Sequence, residues 1–207
     1  DAQRIEIIVQ GVHIAPALVE PAAGLVHQTG AVQRPEGLHG FSGIELRGLG
    51  NDIFSVHARP FQEENLPATI VMLAKQHLEI PCLSTGCALK FSDRREETLR
   101  EIREYIALAS RLGTPYIRIL GDLTAAPEGE VDDAVVLDGL KALVPDAEKA
   151  GVTLLVETNG VYANTARLRD LLNQVRSDNV AALWDVHHPY RFAGESPEQT
   201  VTNLGAY

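Results

Sequence analysis

The sequence lacks a cysteine framework. Its two cysteines, Cys82 and Cys87, stand five positions apart and outside any CxxC spacing, so neither a disulfide scaffold nor a thiolate zinc site is read from them. Both are expected to be free thiols near a strand end. With no Asn-x-Ser/Thr sequon either, a reducing cytoplasm is the expected location. No apolar run approaches the roughly 18 residues of a membrane span, and no secretory signal pattern is present, so a membrane partner is not expected. A Lys/Arg cluster is also missing, and the formal net charge is -10. A domain that grips phosphate backbones carries a basic stripe, so a nucleic-acid partner is not expected. A small polar or anionic substrate remains compatible, because local charge can oppose the net charge. A nucleotide loop is absent too: Gly37, Gly40 and Gly43 are not spaced as GxGxxG. The chain begins at Asp1 and Met72 is its only methionine, so some N-terminal sequence is expected to be missing or to have been processed.

What is present is an alternation. The chain has 207 residues, 45% of them hydrophobic and 22% charged, enough to bury the core of one domain. Short β-rich runs occur at Gly43–Arg47, Leu78–Leu83, Tyr116–Leu120, Val152–Glu157 and Val180–Val186, with an earlier candidate at Ile5–Val9. They are apolar with little alternation, which suits parallel strands buried on both faces. Between them lie amphipathic segments. Asp93 to Glu96 reads as a capping box opening a helix. Leu99, Ile102, Ile106, Ala109 and Leu112 follow at helical spacing, and Gly113 stops the run. Asn164 is the expected cap of a helix with a Leu168, Leu171, Leu172 and Val175 stripe, and Ser196 with Pro197 reads as another helix start. Pro145 is expected to kink or break the helix that contains it. A first helix belongs between about residues 20 and 41, where periodicity is weak.

The strand starts at 43, 78, 116 and 152 fall 35 to 38 residues apart. Alternating β and α units imply a parallel sheet, open or closed, and eight such units would need about 280 residues, as in a (β/α) barrel. The expected fold is therefore α/β, a TIM (β/α) barrel with about six of eight strands present. It forms one domain over residues 1–207, truncated at its C-terminal end, because Tyr207 follows a helix with no strand after it. A doubly wound open sheet is the alternative.

In a parallel barrel, functional groups gather where strands end. Those positions carry Glu45 and Arg47, Ser84 and Thr85, Arg118 and Asp122, Glu157 and Asn159, then Asp185, His187 and His188. Glu157 ends an otherwise apolar strand and Asp185 follows Leu183-Trp184 on the next. Neighbouring strands lie about 4.8 Å apart. Two carboxylates so placed repel unless one takes a proton or a cation sits between them, and oxygen ligands beside an imidazole suit Mn, Mg, Co or Zn. The plain alternative is that Glu157 and Asp185 cap helices or pair with Arg118 and Arg191. His13, His27, His39, His57 and His77 show no ligand spacing and are expected to be structural or surface residues.

The stretches LLVETNG at 154–160 and LWDVHHPYRFAGE at 183–195 resemble the sugar phosphate isomerase/epimerase family, whose xylose isomerase-like barrels share a fold with endonuclease IV in the AP endonuclease 2 superfamily. GIELRGLG at 43–50 and IPCLSTGCALKF at 80–91 fit the same family, and the resemblance covers about residues 40–207. It implies one divalent metal ion, Mn, Mg, Co or Zn, held by a Glu and an Asp on successive strands, then by a His and a Glu on two later ones. Glu157 and Asp185 match the first two; the others have no counterpart here. His188 and Arg191 match substrate-facing residues. The implied chemistry is isomerisation or epimerisation of a sugar or sugar phosphate, by proton transfer next to a carbonyl through an enediolate. Glu157 serves as both metal ligand and general base. A dehydratase of a cyclic hydroxyketone is the near alternative. An endonuclease IV-like repair enzyme would need more His and Glu ligands and a cationic surface. The expected partner is a small-molecule carbohydrate, and homo-oligomer formation is left open.

Overall fold

The computed structural model describes residues 42–49 and 52–207. The expected strand at Ile5–Val9, the first helix near 20–41, and His13, His27 and His39 lie outside these residues. The rest is the expected alternation. Helix α1 (Leu66–Lys75) precedes β1 (Cys82–Ala88), α2 (Arg95–Leu112), β2 (Tyr116–Leu120), α3 (Asp133–Ala150), β3 (Thr153–Glu157), α4 (Thr165–Val175), β4 (Val180–Leu183) and α5 (Pro197–Leu204). The strands form one sheet in chain order, β1-β2-β3-β4, with every pair parallel. No described helix is long and apolar enough to cross a membrane.

Local chemistry explains most helix ends. Gly113 stops α2 at φ 72 and returns its N–H to the Ala109 carbonyl, a left-handed conformation that side chains disfavour. Asn164 accepts from the Arg167 N–H at 3.1 Å and Ser196 from the Gln199 N–H at 3.3 Å, so both caps form as expected. The expected capping box does not form. Helix α2 opens after Arg94, with no side-chain cap, and Arg95 instead reaches the Asp138 carbonyl of α3. Pro145 does not break α3, which runs continuously from Asp133 to Ala150; a proline costs one intrahelical hydrogen bond, while Val136, Leu140, Leu143 and Ala147 bury a full stripe.

Two strands depart from expectation at Pro81. The run Gly43–Arg47 makes only two isolated parallel bridges, Gly43 to Glu79 and Leu46 to Leu83. The Glu79 N–H donates to Ser42 and the Ser84 N–H to Leu46, but Pro81 between them has no N–H to give. The register slips by one residue between the two bridges, and β1 begins only at Cys82. At its far end β1 bulges against β2 between Ser84 and Ala88.

In β2 and β3 burial is one-sided rather than two-sided, whereas β1 buries Cys82, Leu83, Ser84 and Thr85 in succession. In β2 and β3, Ile117, Ile119, Leu154 and Val156 are fully buried, while Arg118, Thr153 and Leu155 alternate with them and are half-buried. The sheet packs α2, α3 and α4 against one face, and the apolar set there builds the core with Leu99, Ile102, Leu140, Leu143 and Leu168. Each such side chain contributes roughly 1.5–3 kcal/mol when fully buried. The opposite face carries the polar residues and leads to the site.

Candidate functional site

Strand parity decides which side chains meet. Arg118 pairs in register with Leu155, and Glu157 with Leu183. Arg118, Leu155 and Glu157 therefore share the face away from the helices, with Glu157 one step along from Arg118's partner. The guanidinium reaches it: Arg118 Nε lies 3.0 Å from Glu157 Oε2, both side chains only 12% exposed. Arg118 Nη1 also donates to the Thr85 carbonyl at 2.6 Å, tying this pair to β1.

Asp185 lies beyond the last residue of β4, held by Thr158 next to Glu157. The Asp185 N–H donates to the Thr158 hydroxyl at 2.9 Å, and that hydroxyl donates to the Asp185 carbonyl at 3.3 Å. Asp185 Oδ1 then accepts the N–H groups of His187 and His188 at 2.8 and 3.3 Å, starting the helical turn that continues as the π-helical turn Pro189–Ala193. That turn folds the His188 ring back over the sheet. Its Nδ1 is 3.2 Å from the Thr158 carbonyl and 4.0 Å from Glu157 Oε1, and its Nε2 is 3.7 Å from Asp185 Oδ2. With Nδ1 protonated toward the carbonyl, Nε2 keeps a free lone pair.

Glu157, Asp185 and His188 each offer one ligand atom within 4.8 Å of the others, the one such group among the described residues. Glu157 pairs with Arg118 through Oε2, and Asp185 caps a turn through Oδ1, yet each keeps a second oxygen directed at His188. Two carboxylate oxygens and an imidazole nitrogen, partly withdrawn from water, are a donor set that fits a divalent cation.

The other strand-end residues divide. Glu45 accepts from the Ser84 hydroxyl. Asp122 is fully buried and pairs with Lys90 Nζ at 2.6 Å; its Oδ2 accepts the Val161 N–H at 3.0 Å. Asn159 donates to the Asp122 and Leu123 carbonyls. These three are built into the scaffold. Arg191 is exposed on the π-helical turn and makes no ion pair or hydrogen bond with the described residues. His187 and His188 pack around Phe192, with ring centroids 6.0 and 5.8 Å from it. His57 pairs with Glu104 at the surface.

Two supports escaped the sequence reading. Thr158 and the buried Glu195 sit inside the quoted stretches, but their roles depend on contacts far along the chain. Glu195 accepts from the Thr165 N–H at 2.9 Å and the Thr200 hydroxyl at 3.2 Å, locking the segment after Arg191 to α4 and α5. The two cysteines are free and buried. Burial pushes the Cys82 thiol up to about 12, with the Glu45 carboxylate adding to it.

Residues 38–206 match the xylose isomerase-like TIM barrel family. The chain belongs to that family. Solved structures of similar fold agree. A probable 3-DHS dehydratase from Bacillus anthracis superposes with a TM-score of 0.62 at 21% identity, over 81% of this chain and 61% of the other. A 3-keto-D-glucoside 4-epimerase from E. coli gives 0.59 at 16%, over 69% and 61%. A xylose isomerase-like TIM barrel protein from Mycobacterium smegmatis in complex with magnesium gives 0.58 at 16%, over 69% and 53%. The chain therefore spans less than two thirds of each of these structures, and the four-stranded sheet corresponds to part of such a barrel. No curated protein is significantly similar in sequence.

Proposed function

We propose that this family member serves a divalent-metal-dependent isomerase or epimerase of a sugar or sugar phosphate, by proton transfer next to a carbonyl through an enediolate. The observation that carries the proposal is the Glu157, Asp185 and His188 cluster, in which each carboxylate keeps one oxygen clear of its structural contact. Glu157 and Asp185 would hold the ion, Mn, Mg, Co or Zn. When bound, the ion would supply Lewis-acid stabilisation of the negative charge that develops on substrate oxygen. The residues supply the rest. Glu157, held by Arg118 at Oε2, is the general base that removes the carbon-bound proton. His188, anchored on the Thr158 carbonyl, turns Nε2 toward a substrate hydroxyl, and Arg191 stands on the exposed turn to meet a polar or anionic group. The half-buried face of β2 and β3 is open to a small carbohydrate. A dehydratase of a cyclic hydroxyketone is the second reading, favoured by likeness to the 3-DHS dehydratase; the same proton removal would be followed by loss of a β-hydroxyl.

Calorimetric titration with Mn²⁺, alongside turnover of ketoses, sugar phosphates and cyclic hydroxyketones, tests this. Glu157→Gln keeps the shape but removes a ligand charge and the base. Mn²⁺ binding should weaken, and kcat should fall by about 10²–10⁴-fold with little change in KM. Full turnover and unchanged Mn²⁺ affinity in Glu157→Gln would remove Glu157 from both roles.

A further inference from the structure

Arg118 is the one guanidinium in contact with the cluster among the described residues, and in the proposed chemistry it neither carries the proton nor holds the ion. Its ion pair with Glu157 at 3.0 Å is shielded on both sides, and its Nη1 is fixed to the Thr85 carbonyl at 2.6 Å. The side chain comes from the middle of β2, a rigid strand, rather than from a mobile loop. Glu157 therefore has two candidate neutralisers, this guanidinium and a divalent ion. They draw on the same carboxylate charge from opposite oxygens.

We infer that Arg118 is a positioning residue that competes with the ion for Glu157 and so sets the affinity of the site. Without the ion, Arg118 offsets the repulsion between Glu157 and Asp185 and keeps Glu157 in place. Binding a cation then requires the guanidinium to share or yield that charge. The two equilibria are linked, so whatever the ion loses to Arg118, the Arg118 pair loses to the ion. This rests on the metal-site reading above.

The test uses the chain with Mn²⁺ as probe. Arg118→Gln removes the charge but keeps a donor for the Thr85 carbonyl, and Arg118→Lys keeps the charge. Couplings of this kind lie between about 5- and 150-fold. Arg118→Gln should bind Mn²⁺ tighter within that range, and it should gain more in Tm from Mn²⁺ than the unmodified chain does. Arg118→Lys should stay within about twofold of the unmodified chain. A purely structural Arg118 would give weaker or equal Mn²⁺ binding in Arg118→Gln, and that result overturns the inference while the metal site stands. Absence of Mn²⁺ binding in all three forms overturns the metal site and this inference together. Should Arg118→Gln not fold, the unmodified chain decides. Its Arg118 Nε–H resonance, identified by its loss in Arg118→Lys, should shift when Mg²⁺ saturates the site, and an unmoved resonance overturns the competition.

Discussion

Gly160 follows the candidate site by three residues and turns the chain at φ 58, where a Cβ would overlap the carboxylate of Asp122. Asp122 cannot retreat, because it is fully buried and held by Lys90, Leu123 and Val161. Gly160→Ala therefore combines a left-handed backbone with a displaced buried charge. It should cost about 2–4 kcal/mol in urea unfolding. Gly113 is the control: it also has positive φ, at 72, but nothing lies within 4 Å of its would-be Cβ. Gly113→Ala should lose only about 1–2 kcal/mol; equal losses at both positions would show that the Asp122 contact carries no weight. The same residue-scale logic separates what the sequence reveals of the site. Glu157 and Asp185 stand out in the sequence because each is an acid at the end of an apolar run. The grip of Arg118 on Glu157 depends on the register between β2 and β3, and the Thr158 clasp on Asp185 depends on where β4 stops, so neither has a local signature.

Elements were legible where their limits are local. Gly113, Asn164 and Ser196 mark helix ends by contacts within four residues, and those ends fall where the sequence places them. Strand limits depend on the neighbour. Pro81 is visible in the sequence, yet its effect on the ladder depends on its place between Glu79 and Leu83 opposite Ser42 to Leu46. The absence of clear alternation in the apolar runs likewise suggests burial on both faces, whereas β3 buries Leu154 completely and leaves Leu155 half-covered. This one-sidedness makes a measurable difference. Leu154→Ala should cost about 2–5 kcal/mol through lost contacts and a residual cavity, and Leu155→Ala should cost clearly less, both read from urea midpoints at constant m. Equal losses would mean that the site face of the sheet is as closely packed as the helix face.

At the scale of the whole molecule, the core buries acidic hydrogens that it cannot easily release. Burial pushes the Cys82 thiol up from 9.0 to about 12 and raises Cys87 as well. Burial also raises the Tyr105 and Tyr162 phenols, in Tyr162 with the Asp133 carboxylate adding to the rise. These four groups lie on different parts of the chain. Tyr105 joins α2 to the turn at Ser55, whose N–H it accepts at 3.2 Å, and the Tyr162 hydroxyl donates to Asp133 at 2.7 Å on α3. Their titration therefore reports on the fold as a unit. In each case the folded chain keeps a proton that the unfolded chain gives up at the ordinary thiol or phenol value. Above about pH 9 the unfolded state binds fewer protons than the folded one, so stability falls as pH rises. The contribution is complete below pH 9 and is lost progressively toward the folded Cys82 value near 12. Thermal unfolding should give a Tm that these groups leave unchanged between pH 7 and about 8 and that declines steadily above about 9. The double variant Cys82→Ala, Cys87→Ala should show a shallower decline, because only the two phenols remain to titrate. A Tm that holds constant to about pH 11 in the unmodified chain would show that these protons are released without unfolding, and hence that the sheet and its helices open locally rather than as one body.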